Sequence, residues 1–166
     1  MQKSTSDIPD IKINLSTQTL HLINQGNNKD YSISSAKNGV GECQGSECTP
    51  RGEHVIRAMI GKDAAAGAVF VGRRPTGEIY SPMLGEQFPE RDWILSRILW
   101  LSGVERGYNR LGDVDTMRRY IYIHGCPDEL PMGVPGSHGC IRMRNADIID
   151  LFDRVQAGMK VLIHEN

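Results

Sequence analysis

The sequence predicts a mainly β fold, a single β-rich domain with one helix near its C-terminus. Three observations support this prediction: short segments alternate apolar and polar residues, glycine is abundant at 18 residues while aromatic residues are few, and helical periodicity is confined to one late segment. A chain of 166 residues is normally one domain with its own core. We therefore divide it into an N-terminal segment, residues 1–10, and one domain, residues 11–166.

Alternation of apolar and polar residues predicts most of the strands. A hairpin is expected from IKINL and TLHLI, which are joined by the turn STQ. The segment from Arg73 to Asp92 contains Pro or Gly every few residues, which predicts a long surface loop. Further strands are expected at YSISSA, HVIRAMIG, GAVFVG, WILSRILWL, MRRYIYIHG and MKVLIHEN. Of these, WILSRILWL also resembles a helical turn.

The expected helix lies shortly after Cys140. Asn145 can cap its N-terminus, Asp147 lies in the first turn where the helix dipole favours an acid, and Gly158 can end it. The predicted apolar face consists of Ile148, Leu151, Phe152 and Val155.

Composition argues against several classes of partner. A formal net charge of −1 gives no bulk electrostatic attraction to nucleic acid or to an anionic membrane. No apolar stretch approaches the roughly 18 residues that a membrane span needs. The first ten residues lack the apolar core of a secretory signal, so we expect a cytoplasmic protein. A periplasmic location is the alternative, if a signal segment has been removed.

Cys140, in the segment GSHGCIRM, is the candidate nucleophile. A cysteine attacks as thiolate, and a neighbouring imidazole lowers the pKa of the thiol. His124 ends the strand-like segment RYIYIHG and is the preferred partner, whereas His138 stands in the cysteine turn itself. Gly139 indicates a tight turn whose backbone N–H groups can form an oxyanion hole.

Two other interpretations of Cys140 stay open at this point, an inert buried thiol and a zinc ligand. The pairs His124-x-Cys126 and His138-x-Cys140 supply two histidines and two cysteines, but paired zinc cysteines usually stand two to four residues apart. We therefore predict no metal and no cofactor. A disulfide between Cys43 and Cys48 is possible from their spacing.

A resemblance to a known family decides between these interpretations. The segment IHGCPDELPMGVPGSHGCIRM, residues 123–143, resembles the active-site block of the L,D-transpeptidase (YkuD-type) catalytic domain. The upstream segment CTPRGEH matches the Thr-Pro-x-Gly element of that family, and the resemblance extends from about Ile11 to the end. It implies a single β-sandwich-like domain with a few small helices, one of which follows the cysteine. The loop from His124 to Ser137 is slightly shorter than usual in the family.

The resemblance also implies catalytic roles. Cys140 would be the acylated nucleophile and His124 its general base and acid, oriented by the carbonyl of Gly125. Backbone N–H groups of His138, Gly139 and Cys140 would hold the oxyanion.

Three residues would contact the substrate or support its binding. Arg142 would face the cleft and either support the cysteine loop or bind a substrate carboxylate. Ser137 and Tyr122 complete the expected substrate-binding set.

The substrate that the resemblance implies is the peptidoglycan stem peptide, with acylation by carbapenems as a further expectation. Cys140 would cleave the bond between an L-centre, typically that of meso-diaminopimelate, and the following D-alanine. In the cytoplasm the useful reaction is trimming of tetrapeptides to tripeptides, which predicts an L,D-carboxypeptidase of peptidoglycan recycling. The alternatives are a periplasmic L,D-transpeptidase and a zinc-binding or non-catalytic peptidoglycan-binding module.

Overall fold

The structure, a computed structural model, describes residues 8–23 and 26–166. The described residues form a mainly β fold with two short α-helices and a 3-10 turn at Gly112–Val114, which confirms the predicted fold class. The elements are β1 (Ile11–Asn14), β2 (Thr19–Leu22), β3 (Lys29–Ser32), β4 (Gly52–Ile60), β5 (Ala68–Val71), β6 (Arg74–Ile79), α1 (Pro82–Gln87), β7 (Ile94–Gly103), β8 (Tyr122–Gly125), β9 (Ile141–Met143), α2 (Asn145–Arg154) and β10 (Lys160–His164).

The strands form one sheet in the order β3-β2-β1-β10-β4-β7-β5-β6. Strand β8 leaves this path, because it pairs with β7 on one side and with β9 on the other. The β1–β10 and β8–β9 pairs are parallel, and the other strand pairs are antiparallel. Strand β7 contacts β4, β5 and β8, so it is the central strand of the molecule.

The main core lies between the inner face of the sheet and helix α2. Its apolar side chains come from strands at both ends of the chain and from the centre, among them Ile13, Leu101 and Ile163. Helix α2 adds Ile148, Leu151 and Phe152, and Val155 follows directly after it; together they are the apolar face expected from the sequence. Each fully buried aliphatic side chain contributes about 1.5–3 kcal/mol, so this layer fixes the position of β8 and β9, which carry the candidate site.

The prediction of a long surface loop between Arg73 and Asp92 is wrong. Strand β6 and helix α1 lie within it. Strand β6 is an edge strand, where Pro75 removes no sheet hydrogen bond that the fold needs, and Gly77 adopts a positive φ of 89°. Helix α1 begins with Pro82, and the Ser81 hydroxyl accepts a hydrogen bond from the N–H of Leu84.

Two other boundaries differ from expectation. The predicted strand MRRYIYIHG is a strand only in β8, because a turn precedes it in which Tyr120 adopts a φ of 56°. Helix α2 has Arg144, not Asn145, at its N-cap position, and it ends at Arg154 before Gly158 is reached.

The Asn-rich turn after β2 includes Asn24 and Gln25, which lie outside the described residues. Neither helix in the described part of the chain is long and apolar enough to cross a membrane.

His54 in β4 is buried and makes two hydrogen bonds inside the fold. Its Nδ1 lies 3.0 Å from the Gly52 carbonyl oxygen, and its Nε2 lies 2.9 Å from the Thr116 hydroxyl. The Nδ1–H therefore donates, and Nε2 accepts from the hydroxyl. Burial lowers the pKa of His54 from 6.5 to about 4. The folded protein thus holds this imidazole neutral.

The His54 pKa predicts an acid-sensitive stability. Below pH 6.5 the unfolded chain binds a proton that the folded protein excludes until about pH 4, so the free energy of unfolding falls as the pH is lowered through this window. The loss should be about 3 kcal/mol, measured by urea unfolding between pH 7 and pH 4. His54→Gln should flatten this part of the profile, while His21→Gln, where 37% of the side chain is exposed, should not. An unchanged profile in His54→Gln would contradict the assignment.

Candidate active site

The parallel pairing of β8 and β9 brings the expected residues onto one cavity. His124 pairs with Arg142, and Cys140 directly precedes β9 beside Tyr122. Side chains alternate along a strand, so Tyr122 and His124 face the same side of the sheet. All four residues line a cavity of about 490 Å³. The structure therefore brings together residues that the sequence places far apart.

The Cys140 thiol is half-buried and is held by the backbone that leads into β8. Its Sγ accepts a hydrogen bond from the N–H of Tyr122 at 3.3 Å and donates to the carbonyl of Tyr120 at 3.3 Å. In this resting arrangement the thiol proton points at a carbonyl oxygen and not at an imidazole.

His124 is buried, with 1% of its surface exposed. Its Nδ1–H donates to the carbonyl of Gly125 at 2.6 Å, as expected from the resemblance. This bond leaves Nε2 as the unprotonated nitrogen, and Nε2 has no hydrogen-bond partner in the described structure. A buried nitrogen with a free lone pair on the wall of the cavity is a ready proton acceptor.

Burial acts on both members of this pair. It raises the pKa of the Cys140 thiol to about 12, opposed by the N–H of Tyr122 and, more weakly, by Arg142 and Arg119. It also lowers the pKa of His124 below 6.5. Both groups are therefore neutral at pH 7, because desolvation disfavours each charged form. The expectation that the imidazole lowers the pKa of the resting thiol is wrong for this arrangement.

The turn that carries Cys140 is held by two hydroxyl groups. The Ser137 hydroxyl donates to the carbonyl of Cys140 and accepts from the N–H of Gly139. The Thr49 hydroxyl donates to the carbonyl of Gly139 at 2.9 Å. Gly139 has a φ of 133°, a conformation suited to glycine. Ser137 is buried, positions the turn and lines the cavity, and its expected contact with the substrate stays a prediction.

The N–H of Gly139 is not free for an oxyanion, because it donates to the Ser137 hydroxyl at 3.2 Å. This differs from the expectation that three successive N–H groups would point at the substrate. The N–H groups of His138 and Cys140 are then the candidate donors. The His138 side chain is exposed on the cavity wall.

Arg142 links the cysteine turn to the opposite wall of the cavity. Its guanidinium donates to the carbonyl of Gly136 at 3.0 Å and to the Asp92 carboxylate at 3.3 Å. Only 13% of the side chain is exposed. Of the two roles expected for Arg142, support of the cysteine loop is the one that these contacts fit.

A family model for the L,D-transpeptidase catalytic domain, YkuD, matches residues 9–163. The chain belongs to this family. The match covers every element from β1 to most of β10 and includes the cavity described above. No curated protein matches the sequence.

Solved L,D-transpeptidases share the fold of this family member. The enzyme from Mycobacterium smegmatis is 17% identical with a TM-score of 0.57, and the match covers 94% of this chain and 59% of that one. The Enterococcus faecium L,D-transpeptidase is 17% identical with a TM-score of 0.56, over 94% of this chain and 49% of that one. L,D-transpeptidase 3 from Mycobacterium tuberculosis, with a faropenem-derived adduct, is 16% identical with a TM-score of 0.55, and the match covers 95% of this chain and 61% of that one. This chain thus spans about half to three fifths of their lengths.

In this L,D-transpeptidase domain, the described residues contain no group of three or more His, Cys, Asp or Glu side chains placed to hold a metal ion. Absence of a metal from the reaction stays a prediction. Cys43, Cys48, Cys126 and Cys140 are all free thiols. Cys126 is buried and its thiol donates to the carbonyl of Met143 at 3.5 Å.

Asn145 is a site residue whose role the sequence misassigned. Its amide nitrogen donates to the carbonyl of Cys126 at 2.9 Å and to the Asp128 carboxylate at 3.1 Å, and its amide oxygen accepts from the Ser96 hydroxyl. The Asp128 carboxylate also accepts a hydrogen bond from the Asn145 backbone N–H. Asp128 thus caps the N-terminus of α2, the role that the sequence predicted for Asn145. A Cβ on Gly125 would lie 2.7 Å from the Asn145 amide oxygen. Asn145 therefore fixes the strand end that orients His124.

Loss of the Asn145 amide should destabilise the domain. Asn145→Ala leaves the Ser96 hydroxyl and the Cys126 carbonyl without these partners, so the free energy of unfolding should fall by about 1–3 kcal/mol. Asn38→Ala is the matched control, because Asn38 is exposed and makes one long hydrogen bond of 3.3 Å; its effect should stay within about 0.5 kcal/mol. Equal effects of the two substitutions in urea unfolding would contradict this role.

Proposed function

We propose that the chain is a cysteine peptidase that acts on peptidoglycan stem peptides. Cys140 is the nucleophile, and His124 is the general base and acid. The observation that carries this proposal is the free Nε2 lone pair of His124 on the cavity that holds the Cys140 thiol. Membership of the L,D-transpeptidase catalytic domain family supports the substrate class.

Acylation begins when the thiol exchanges its hydrogen bond to the Tyr120 carbonyl for one to the Nε2 of His124. Sγ then attacks the carbonyl carbon at the L-centre of meso-diaminopimelate, and the thiol proton moves to Nε2. The Gly125 carbonyl, already bonded to Nδ1–H, stabilises the imidazolium that forms. The N–H groups of His138 and Cys140 donate to the oxyanion.

Collapse of the tetrahedral intermediate breaks the bond to D-alanine. Nε2–H returns its proton to the departing amine, which leaves a thioester on Cys140 and a neutral His124. For hydrolysis, water attacks the thioester carbon while its proton moves to Nε2 of His124. Breakage of the C–S bond then returns this proton to Sγ, which regenerates the thiol, and the new carboxyl group of the tripeptide ionises to solvent. A neutral resting pair suits this cycle, since the proton moves only as the new bond forms.

We propose water as the acceptor, which makes the protein an L,D-carboxypeptidase that converts tetrapeptides to tripeptides. Exposed Tyr120 and His138 on the cavity wall leave a path for water to the thioester. We further propose the cytoplasm as the place of this reaction, where soluble precursors and recycled muropeptides are the substrates.

Transpeptidation is the alternative, in which an amine of a second stem replaces water. One observation favours it: a second cavity of about 690 Å³ shares Asp92, His138 and Arg142 with the first. A second peptide seated there would lie next to the cavity that holds the acyl group.

The function is tested by incubation with a diaminopimelate-containing tetrapeptide, with and without an amine acceptor peptide, followed by mass spectrometry. We expect the tripeptide and free D-alanine in both reactions. Cys140→Ala should abolish release of D-alanine and acylation by a carbapenem, because it removes the attacking sulfur. Cys126→Ser is the matched control and should keep most activity, because its hydroxyl can still donate to the Met143 carbonyl.

The opposite result on the two cysteines would overturn the assignment of the nucleophile. A crosslinked dimer as the main product with the acceptor present would favour the transpeptidase over the carboxypeptidase.

The two histidines should differ in their effect on the pH profile. His124 must be neutral to accept the thiol proton, and burial lowers its pKa below 6.5, so kcat/KM should stay level from pH 8 to 6.5 and fall only at lower pH. His124→Ala should lose about 10²–10⁴-fold, and its residual rate should rise with pH as the thiol ionises unaided. His138→Ala, which alters an exposed side chain, should keep the wild-type profile and lose less than about tenfold. A shifted acid limb in His138→Ala alone would make His138 the base.

A further inference from the structure

Arg73 occupies a backbone position that does not favour arginine. Val71 pairs with Arg74, so Gly72 and Arg73 form the two-residue turn between β5 and β6. Their φ angles are 56° and 66°. Hairpin turns of this kind favour Gly or Asn at both positions, because a Cβ is strained at positive φ. An arginine here is retained at a cost to stability, which points to a function of its side chain.

The Arg73 guanidinium is held in one place by aromatic groups. It lies 4.8 Å from the centre of the Trp100 ring and 4.9 Å from the centre of the Tyr120 ring. One nitrogen, Nη1, donates to the Tyr122 hydroxyl at 2.9 Å. An arginine has five N–H donors, and within the described chain Arg73 has no carboxylate partner. Most of its donors are therefore available to a ligand.

The other two arginines on this cavity are bound to the protein. Arg119 donates to the Gly41 carbonyl, the Ser46 hydroxyl and the Cys48 carbonyl. Arg142 donates to a carbonyl and to a carboxylate, as described above. Arg73 is thus the arginine of this cavity with the fewest hydrogen bonds to protein groups, a single one to the Tyr122 hydroxyl.

The same two tyrosines connect Arg73 to the thiol. The Tyr120 ring contacts the guanidinium and the Tyr120 carbonyl accepts from Cys140. The Tyr122 hydroxyl accepts from Arg73, and the Tyr122 N–H donates to the Cys140 sulfur. Arg73 and Cys140 both line the cavity. A ligand bound to the guanidinium therefore lies in the space where acylation takes place.

We propose that Arg73 determines specificity by binding a free carboxylate of the stem peptide. This inference rests on the proposed function for the identity of the peptide. A planar guanidinium fixed on aromatic rings suits bidentate binding of a carboxylate, since little freedom is lost on binding. A tetrapeptide offers two such groups near the scissile bond, the terminal carboxylate of D-alanine and the side-chain carboxylate of diaminopimelate.

Three substrates distinguish these two carboxylates: the free tetrapeptide, the tetrapeptide with a D-alanine amide, and the tetrapeptide amidated on the diaminopimelate side chain. The wild type should cleave one of the two amides with a kcat/KM about 10–100-fold below that of the free acid, because a charge-assisted bond is lost. The amide that suffers this loss identifies the carboxylate that Arg73 binds.

Arg73→Asn tests the residue itself, because asparagine tolerates positive φ and carries no charge. It should lower kcat/KM for the free acid about 10–100-fold, chiefly through KM. The kcat/KM for the amide that the wild type cleaves poorly should stay unchanged. Arg73→Lys should restore part of the preference for the acid. Arg74→Asn, the same change at the neighbouring exposed residue, should have no effect. An equal loss on acid and amide, or no loss on either, would show that Arg73 only stabilises the hairpin tip.

A binding measurement separates failure of this inference from failure of the proposed reaction. In Cys140→Ala, calorimetry should show binding of the free tetrapeptide, weakened about 10–100-fold by the added change Arg73→Asn. If the wild type releases no D-alanine but this difference persists, the proposed reaction is wrong and the carboxylate site stands. If the tetrapeptide binds Cys140→Ala and the double variant equally, or binds neither, the carboxylate site is wrong.

Discussion

The hydrogen bond from the Nδ1–H of His124 to the Gly125 carbonyl is the interaction on which the site depends. It selects the tautomer that leaves Nε2 bare, and it holds the ring against the cavity. The bond requires the backbone at Gly125 to lie very close to β7, because a Cβ at this position would be 2.5 Å from the Leu95 carbonyl oxygen. The bulge of β7 at Ser96 and the amide of Asn145 occupy the space on the other side. Glycine at position 125 is therefore required by the close packing around it.

A carbonyl dipole orients the imidazole differently from a carboxylate. An anionic partner would stabilise the imidazolium and raise the pKa of the histidine, whereas here burial prevails and lowers it. His124 is consequently neutral at rest, and the Cys140 thiol on the same cavity is neutral as well. In a site of this kind, charges form only in the transition state. The N–H groups of the cysteine turn can then stabilise the oxyanion, and the Gly125 carbonyl can stabilise the imidazolium.

Local sequence signals were sufficient for the parts of the site that lie within one segment. Apolar runs located β8 and β10, whereas the segment of β7 also resembled a helical turn. The motif around Cys140 singled out this thiol and His124, which the structure places on one cavity. The role of Asn145 was missed because its partners, Ser96 and Cys126, come from two other strands. Arg73 was missed because Pro and Gly suggested a loop, although an edge strand tolerates both. Contacts between distant segments carry no local signal, so a single sequence cannot reveal them.

The sheet order also has a consequence for how the chain assembles. Strand β10 lies between β1 and β4, so the β1–β2–β3 hairpin unit joins the path of the sheet through the last strand of the chain. During synthesis on the ribosome, the first three strands emerge long before their partner exists, and β1 keeps one edge unpaired until β10 has been made. Pairings so distant along the chain close slowly. The step that completes the sheet is thus the docking of Lys160–His164, and a nascent chain that stops short of it exposes two strand edges at once.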